Sequence, residues 1–258
     1  MNEIFGKFLG LPVLASKHGA QVDTLIIWVH VLMLALFVGW LLYFLFTLFL
    51  FSKSRNPKAD YVGIRGHASN WIEGAVVIAE AFLLFGLAVP YWASAVDHFP
   101  TAAENPTTIR IIAQQFNWNI FYPGADGQFC KRDAKFVTNA NPWGFDESDP
   151  NGKDDPAPIL GEFHVPVDKP VIITLTSKDV IHSFKLIAMR VTQDAIPGVP
   201  IPLHFTPTVK GVYQINCAQL CGNGHSSMSM GRIYVDSPED YKKWLDARPK
   251  RGAGAALE

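Results

Sequence analysis

A membrane-anchored α + β chain, with a two-helix transmembrane hairpin followed by a strand-rich external domain, is the fold class this sequence predicts. Three observations predict it. From Leu25 to Phe51 the chain runs without an Asp, Glu, Lys or Arg. From Trp71 to Val96 a second apolar run carries only Glu73 and Glu80 as charged residues. After Val96 these long runs give way to short stretches rich in β-branched residues, punctuated by Pro, Gly, Asn and Asp.

The first run exceeds the roughly 20 residues a helix needs to cross a bilayer, with some tilt. It begins too far into the chain and runs too long for the apolar core of a cleaved signal peptide, and no basic segment closely precedes it. The connection between the runs carries Lys53, Arg55, Lys58 and Arg65 against Asp60 alone. The positive-inside rule therefore puts this loop in the cytoplasm, and the N-terminal segment and everything beyond Val96 outside. The expected boundaries are an N-terminal extracytoplasmic segment 1–24, a helical hairpin 25–96, an external domain 97–248 and a flexible tail 249–258. With 258 residues and a net charge of −1, nothing points to nucleic acid as a partner.

In the external part, "TTIRIIAQQF", "AKFVT", "GEFHVPV", "PVIITLTS", "HSFKLIAM", "GVYQINC" and "GRIYVDS" read as strands of a sandwich or small barrel. Residues 139–158 show no periodicity and carry Asp146, Glu147, Asp149, Asp154 and Asp155. They read as a solvated loop or, more sharply, as a docking surface for a basic partner. "SPEDYKKWLDA" reads as a capped amphipathic helix. "RGAGAALE" reads as a flexible tail.

The chemistry is concentrated in "CAQLCGNGHSSM", Cys217 to Met228, in a chain with three cysteines. A disulfide suits an extracytoplasmic domain. However, a bridge from Cys217 to Cys221 closes too short a loop to stabilise much, and it leaves His225 and Met228 unexplained. The Cys-x3-Cys spacing without a βαβ pattern does not suit a thioredoxin-like dithiol. Thiolate, imidazole and thioether make a soft donor set that favours copper. A structural zinc site would use four Cys or His ligands and no Met, and a blue-copper site would use one Cys. Two thiolates bridging two copper ions would leave each copper needing another strong donor. His225 supplies one, so a second histidine must come from elsewhere. His98, His164, His182 and His204 are the candidates. His182, at the junction of two strands in "SKDVIHSF", is placed to reach a neighbouring loop.

"DVIHSF", "DAIPG" and "CAQLCGNGHSSM" together resemble subunit II of the haem–copper cytochrome c oxidases, and the hairpin and strand-rich domain are similar too. The resemblance implies a cupredoxin-like Greek-key β-barrel holding the binuclear copper centre called CuA. Under it Cys217 and Cys221 bridge two coppers, and His182 and His225 each bind one. Met228 and the main-chain carbonyl of Gln219 are the weak ligands. It further implies electron transfer from a cytochrome c to a haem of subunit I, where oxygen reduction and proton pumping occur, with other oxidase subunits and membrane lipid as further neighbours. The implied site is an energy-conserving, bacterial-type inner membrane, with the copper domain on the periplasmic side. Glu73 matches the family's glutamate at the mouth of a proton-uptake channel; Glu80 has no family role. "QQFNWNIFYPG" matches the aromatic region through which electrons enter. There Trp118 is retained and Phe116 stands where a tryptophan is usual, while Phe121 and Tyr122 read equally well as barrel packing.

Two further departures stand out. Gln219 replaces a common Glu and is a weaker ligand for the magnesium ion bound at the subunit I interface. Val199 occupies a position that is often Arg, and Cys130 has no assigned partner. No CxxCH is present, so no haem c attaches. Among rival functions, a membrane-anchored copper-delivery protein would share a Cys-x3-Cys pair and a distant His, but would not need His-x2-Met. Nitrous oxide reductase carries the same copper loop in a much longer soluble chain, and quinol oxidase subunit II lacks the cysteines.

Overall fold

The computed structural model describes residues 2–58, 60–63 and 66–251. It forms two compact units, one of Met1–Leu11 with Gln21–Ser94 and the other of Pro12–Ala20 with Ala95–Glu258. Arg65 of the cytoplasmic-loop reading and residues 252–258 of the expected tail lie outside the described residues.

The first unit is helical. A short helix α1 (Asn2–Phe8) precedes α2 (Gly19–Leu50), whose 32 residues have a mean hydropathy of 2.5 over the most apolar window. The second long helix runs from Ala68 to Val96, 29 residues with a hydropathy of 2.1. Its parts are α3 (Ala68–Ala81), a π-helical segment (Phe82–Ala88) and α4 (Val89–Val96). The π-helical segment has a local cause. Pro90 donates no N–H, and in a regular α-helix its ring would strike the carbonyl of Gly86, four residues back. Wider i→i+5 turns before the proline relieve that clash. Both helices are long and apolar enough to cross a membrane, and almost none of their surface is covered within the chain.

The second unit is a β-domain. Its strands are β1 (Thr107–Gln114), β2 (Asn117–Phe121), β3 (Ile159–Leu160), β4 (Glu162–Pro166), β5 (Val171–Ser177) and β6 (His182–Leu186). They continue with β7 (Val191–Ala195), β8 (Ile201–Phe205), β9 (Gly211–Gln214), β10 (Asn216–Cys217) and β11 (Arg232–Asp236), and helix α5 (Pro238–Asp246) ends the domain. One sheet has the order β3-β2-β1-β5-β8, and two three-stranded sheets have the orders β10-β6-β7 and β4-β11-β9. β1 pairs in parallel with β5 and antiparallel with β2, and β11 pairs in parallel with β4. All three sheets turn apolar residues into one core. Ile109, Trp118, Ile173, Phe163, Phe184 and Ile233 are each 1% exposed or less. Strict alternation makes this possible: in β5, Val171, Ile173 and Leu175 face inward between half-exposed neighbours. This is the cupredoxin-like β-barrel on a helical anchor that the resemblance implied.

"AKFVT" is not a strand. Asp133 accepts the N–H of Lys135 and caps a 3₁₀ turn, Ala134–Phe136. β2, β3, β7 and β8 escaped the strand reading. β8 contains Pro202, which is tolerated because this strand is the edge of its sheet. The chain before α2 also joins the barrel. Ala15 N–H donates to the Ala188 carbonyl (2.8 Å), Thr208 N–H donates to the Ala15 carbonyl (2.8 Å), and Ser16 Oγ donates to the Met189 carbonyl (2.6 Å).

The acidic stretch is not a freely solvated loop. It folds over a second apolar cluster of Ile112, Phe121, Cys130, Trp143 and Phe145. Asp155 accepts the N–H groups of Gly124 (2.8 Å) and Cys130 (2.9 Å), Asp149 that of Lys131 (2.7 Å), and Asp154 that of Ala125 (2.6 Å). Three residues of the expected tail are tied to the same lobe. Ala157 N–H donates to the Pro249 carbonyl, Pro156 bridges to Lys250, and Arg251 N–H donates to the Asp155 carbonyl.

His18, His164 and His204 are held below the usual histidine value by burial. For His164, which stacks between Tyr234 and Trp244, the nearby Asp236 opposes that effect. A depressed folded-state pKa means that the unfolded chain takes up protons first as pH falls. Stability is then full above about 6.5 and falls as pH drops below it. Urea unfolding of the metal-free protein between pH 7.5 and 5 should show this decline, and His164→Phe should make it shallower.

Candidate metal centre

Three separate segments build the site. β6 starts at His182, after the turn that follows β5. β10 ends at Cys217 and lies antiparallel to β6, with Cys217 opposite Phe184. Beyond it the chain turns through Cys221 into a 3₁₀ helix, His225–Met230, before β11. Gly222 has φ of +133°, a conformation L side chains rarely adopt, so glycine is required there. The third segment is the β1–β2 turn, Gln115 and Phe116.

These segments bring the expected donors together. Cys217 Sγ lies 3.9 Å from Cys221 Sγ, too far for a disulfide, and 3.1 Å from the Gln219 carbonyl. Cys221 Sγ lies 3.4 Å from both His225 Nδ1 and Met228 Sδ. One ligand atom each of His182, Cys217 and Cys221 falls within 4.8 Å of the others. His182, Cys217, Cys221 and Met228 are all buried.

His182 carries the clearest sign of a missing partner. One ring nitrogen, Nε2, pairs with Asp179 Oδ1 at 2.9 Å. The other, Nδ1, is shielded from solvent and has no hydrogen-bond partner. A buried polar atom without a partner is costly. A carboxylate on the far nitrogen is how proteins orient a metal-binding imidazole. Burial and the adjacent Cys217 push the Cys221 thiol up to about 11. A cation displacing that proton would relieve both. Soft donors around a bare imidazole nitrogen therefore fit a copper site.

Asp179 and Gln115 were missed by the sequence reading. Burial works against the Asp179 carboxylate. Hydrogen bonds from the Gln115 N–H, His182 and the Val180 N–H outweigh it and hold the group below its usual value. Gln115 Nε2 in turn donates to the Cys221 carbonyl (2.6 Å). A carboxylate three residues before the histidine was visible in "DVIH". Nothing local in the sequence marked Gln115.

Trp118 is fully buried, donates from Nε1 to the Met228 carbonyl (3.0 Å) and meets the His182 ring at a centroid distance of 6.2 Å. Phe116 is half-buried, with its ring against Gly222 and Gly224. Phe121 packs in the second cluster and Tyr122 in the main core, where its hydroxyl donates to the His164 carbonyl (2.7 Å). His164 pairs with Asp236, and His204 lies against Phe99. Cys130 sits in the second cluster, 2.9 Å from Arg251 Nη2, its thiol pushed up by burial. The Gln219 and Val199 side chains are exposed. Glu73 and Glu80 belong to the helical unit.

A Cβ on Gly224 would lie 2.4 Å from Phe116 Cδ2. Gly224→Ala should therefore cost about 1–3 kcal/mol through overpacking. Phe116→Ala in the same chain should restore part of that loss, because the obstruction goes with the ring. Chemical unfolding of the two single variants and the double variant measures the coupling.

Comparison with known proteins agrees with this geometry. The family model described as cytochrome c oxidase subunit II, periplasmic domain, matches residues 154–235. An alternative cytochrome c oxidase subunit 2 from Bradyrhizobium diazoefficiens is 31% identical over 211 residues, covering 81% of this chain and 74% of that protein. A cytochrome c oxidase subunit 2 from Thermostichus vulcanus is 45% identical over 86 residues, 33% of this chain and 26% of that one. Among solved structures, the periplasmic domain of subunit II of cytochrome oxidase (CoxB) of Bradyrhizobium japonicum is similar at 28% identity with a TM-score of 0.40. It covers 55% of this chain and 92% of that chain. The match to the Bradyrhizobium diazoefficiens protein takes in most of both chains, so this chain belongs to the cytochrome c oxidase subunit II family.

Proposed function

We propose that this chain is the electron-accepting subunit of a haem–copper oxidase, with a binuclear CuA centre in its β-domain. The observation that carries the reading is the convergence of two cysteine sulfurs, a thioether and two imidazoles, with His182 Nδ1 buried and unpartnered. His182 and His225 would each hold one copper, Cys217 and Cys221 would bridge them, and Met228 and the Gln219 carbonyl would be the weaker donors. When bound, the copper pair supplies one-electron exchange between a cytochrome c donor and a haem of subunit I.

The chain's own residues do the rest. Asp179 holds the His182 ring in the tautomer whose Nδ1 is free, and Gln115 braces the backbone at Cys221. Trp118 and Phe184 keep water from the sulfur side. Phe116 is the aromatic beside the loop that a docking protein can reach, whereas buried Trp118 would act only through its bond to the Met228 carbonyl. Glu73 would stand at the mouth of a proton-uptake route, on a hairpin whose two long helices cross the membrane and leave the β-domain outside. A side-chain amide at Gln219 is a poor magnesium ligand, and no magnesium is assigned to it.

Copper titration of the purified full chain tests the reading. Two coppers per chain are expected, with a near-infrared mixed-valence band and an EPR signal shared over both. Asp179→Ala should lower copper affinity about 10–100-fold. One copper per chain, readily handed to a chelator, would instead favour a copper-delivery protein.

A further inference from the structure

Glu80 is a charged residue deep within the apolar part of the second long helix, and the family resemblance supplies no role for it. It lies twelve residues from one end of the Ala68–Val96 helix and sixteen from the other, about 18 and 24 Å along the axis. In a spanning helix that is close to the bilayer midplane, where an ionisable side chain is costly and marks a functional site by default.

Its surroundings sharpen the point. Glu80 ends a groove of about 340 Å³ between the two long helices of the first unit. Leu25, Val29, Leu32 and Leu36 line one side on successive turns of α2, and Leu84 and Ala88 line the other. Every lining residue except Glu80 is apolar. Among the described residues none donates a hydrogen bond to the Glu80 carboxyl. With no water in the hydrocarbon, a partner must come from outside this chain. An apolar cleft with a single polar group to fix orientation is how binding sites of this size are built. The groove follows two helices for about eleven residues on α2, roughly 16 Å, which suits another helix lying along it.

We propose that this groove seats a transmembrane helix of a partner subunit, one that carries a hydrogen-bond-donating or cationic side chain at the level of Glu80. Apolar side chains of that helix fill the groove, and its donor satisfies the carboxyl. The complementarity of a lone acid facing an unfilled apolar cleft selects such a helix over an ordinary acyl chain, which has nothing to offer the carboxyl. This inference rests on the reading that both long helices cross the membrane.

The test uses the full chain expressed with its oxidase partners in their own membrane. A photo-activatable benzoylphenylalanine at Leu84 should cross-link to a membrane protein subunit. Glu80→Leu should reduce recovery of that subunit with the chain in mild detergent by about three- to twentyfold, the range for one intramembrane hydrogen bond, while Glu80→Gln stays within about twofold. Ala88→Phe, which fills the groove and leaves the acid intact, should reduce recovery comparably. A cross-link to lipid or to an isoprenoid quinone alone would overturn the proposal. So would undiminished recovery of the subunit with both Glu80→Leu and Ala88→Phe. Copper content read on the same samples should not change, because every expected ligand is in the other unit. Its absence from the parent chain would count against the copper reading and leave the cross-link to decide the groove.

Discussion

The site depends on how one carboxylate divides its two oxygens. Asp179 Oδ1 holds His182 Nε2 and the Val180 N–H, and Oδ2 takes the N–H of Gln115 (2.7 Å). Gln115 then reaches the carbonyl of Cys221 with its side chain. These bonds join the β5–β6 turn, the β1–β2 turn and the cysteine loop in series, and the pairing of β10 with β6 closes the circuit, so no ligand-bearing segment moves without straining another. A bound redox metal would benefit from such constraint, because a ligand set that cannot relax changes little between oxidation states. The barrel supplies the rigidity beneath. Trp118, between His182 and Phe184, is locked at its nitrogen by the Met228 carbonyl and leaves the loop no space to collapse inward.

Charge is used differently in the two acidic regions of the domain. At the site, Asp179 answers to a buried imidazole. In the lobe over Phe121 and Trp143, Asp149, Asp154 and Asp155 are committed to backbone N–H groups that would otherwise lie unpaired, as happens when an irregular segment must cover an apolar cluster. Those carboxylates act as internal staples. Of the acids in residues 139–158, Glu147 keeps an exposed side chain and Asp146 and Asp154 are half-buried, and hydrogen bonds from neutral N–H groups leave the carboxylates charged. The solvated-loop reading fails on the burial of Asp149 and Asp155.

How much of this was legible in the sequence follows from the range of each interaction. The helical runs and the alternating strands of β1 and β5 are local patterns, and they read correctly; the crowding of donors in the cysteine loop is a local pattern too. His182 could be singled out because the cysteine loop created a demand for another imidazole that "DVIH" could meet. Gln115 could not, since its role exists only once the β1–β2 turn folds onto a loop more than a hundred residues away. The acidic stretch misled for the same reason. Composition reports that carboxylates are present but not which N–H groups they will find. β8 was hidden by Pro202, a residue that argues against a strand until its edge position is known.

The two aromatics of "QQFNW" separate in a way composition could not show. They stand two residues apart, on either side of Asn117, and only one is within reach of a partner. Trp118 faces the core as the second residue of β2, and no docking protein can touch it. Phe116, in the turn, is half-buried against two glycines of the ligand loop, and a Cβ on Gly224 would strike its ring. A residue at this turn is therefore part-exposed to solvent and presses on the ligand loop at once. A change of its aromatic type alters the exposed surface and the packing of the loop together. The Phe at position 116 is consequently best understood with Gly222 and Gly224 as one fitted unit, and a tryptophan placed there would need more room than this loop now leaves.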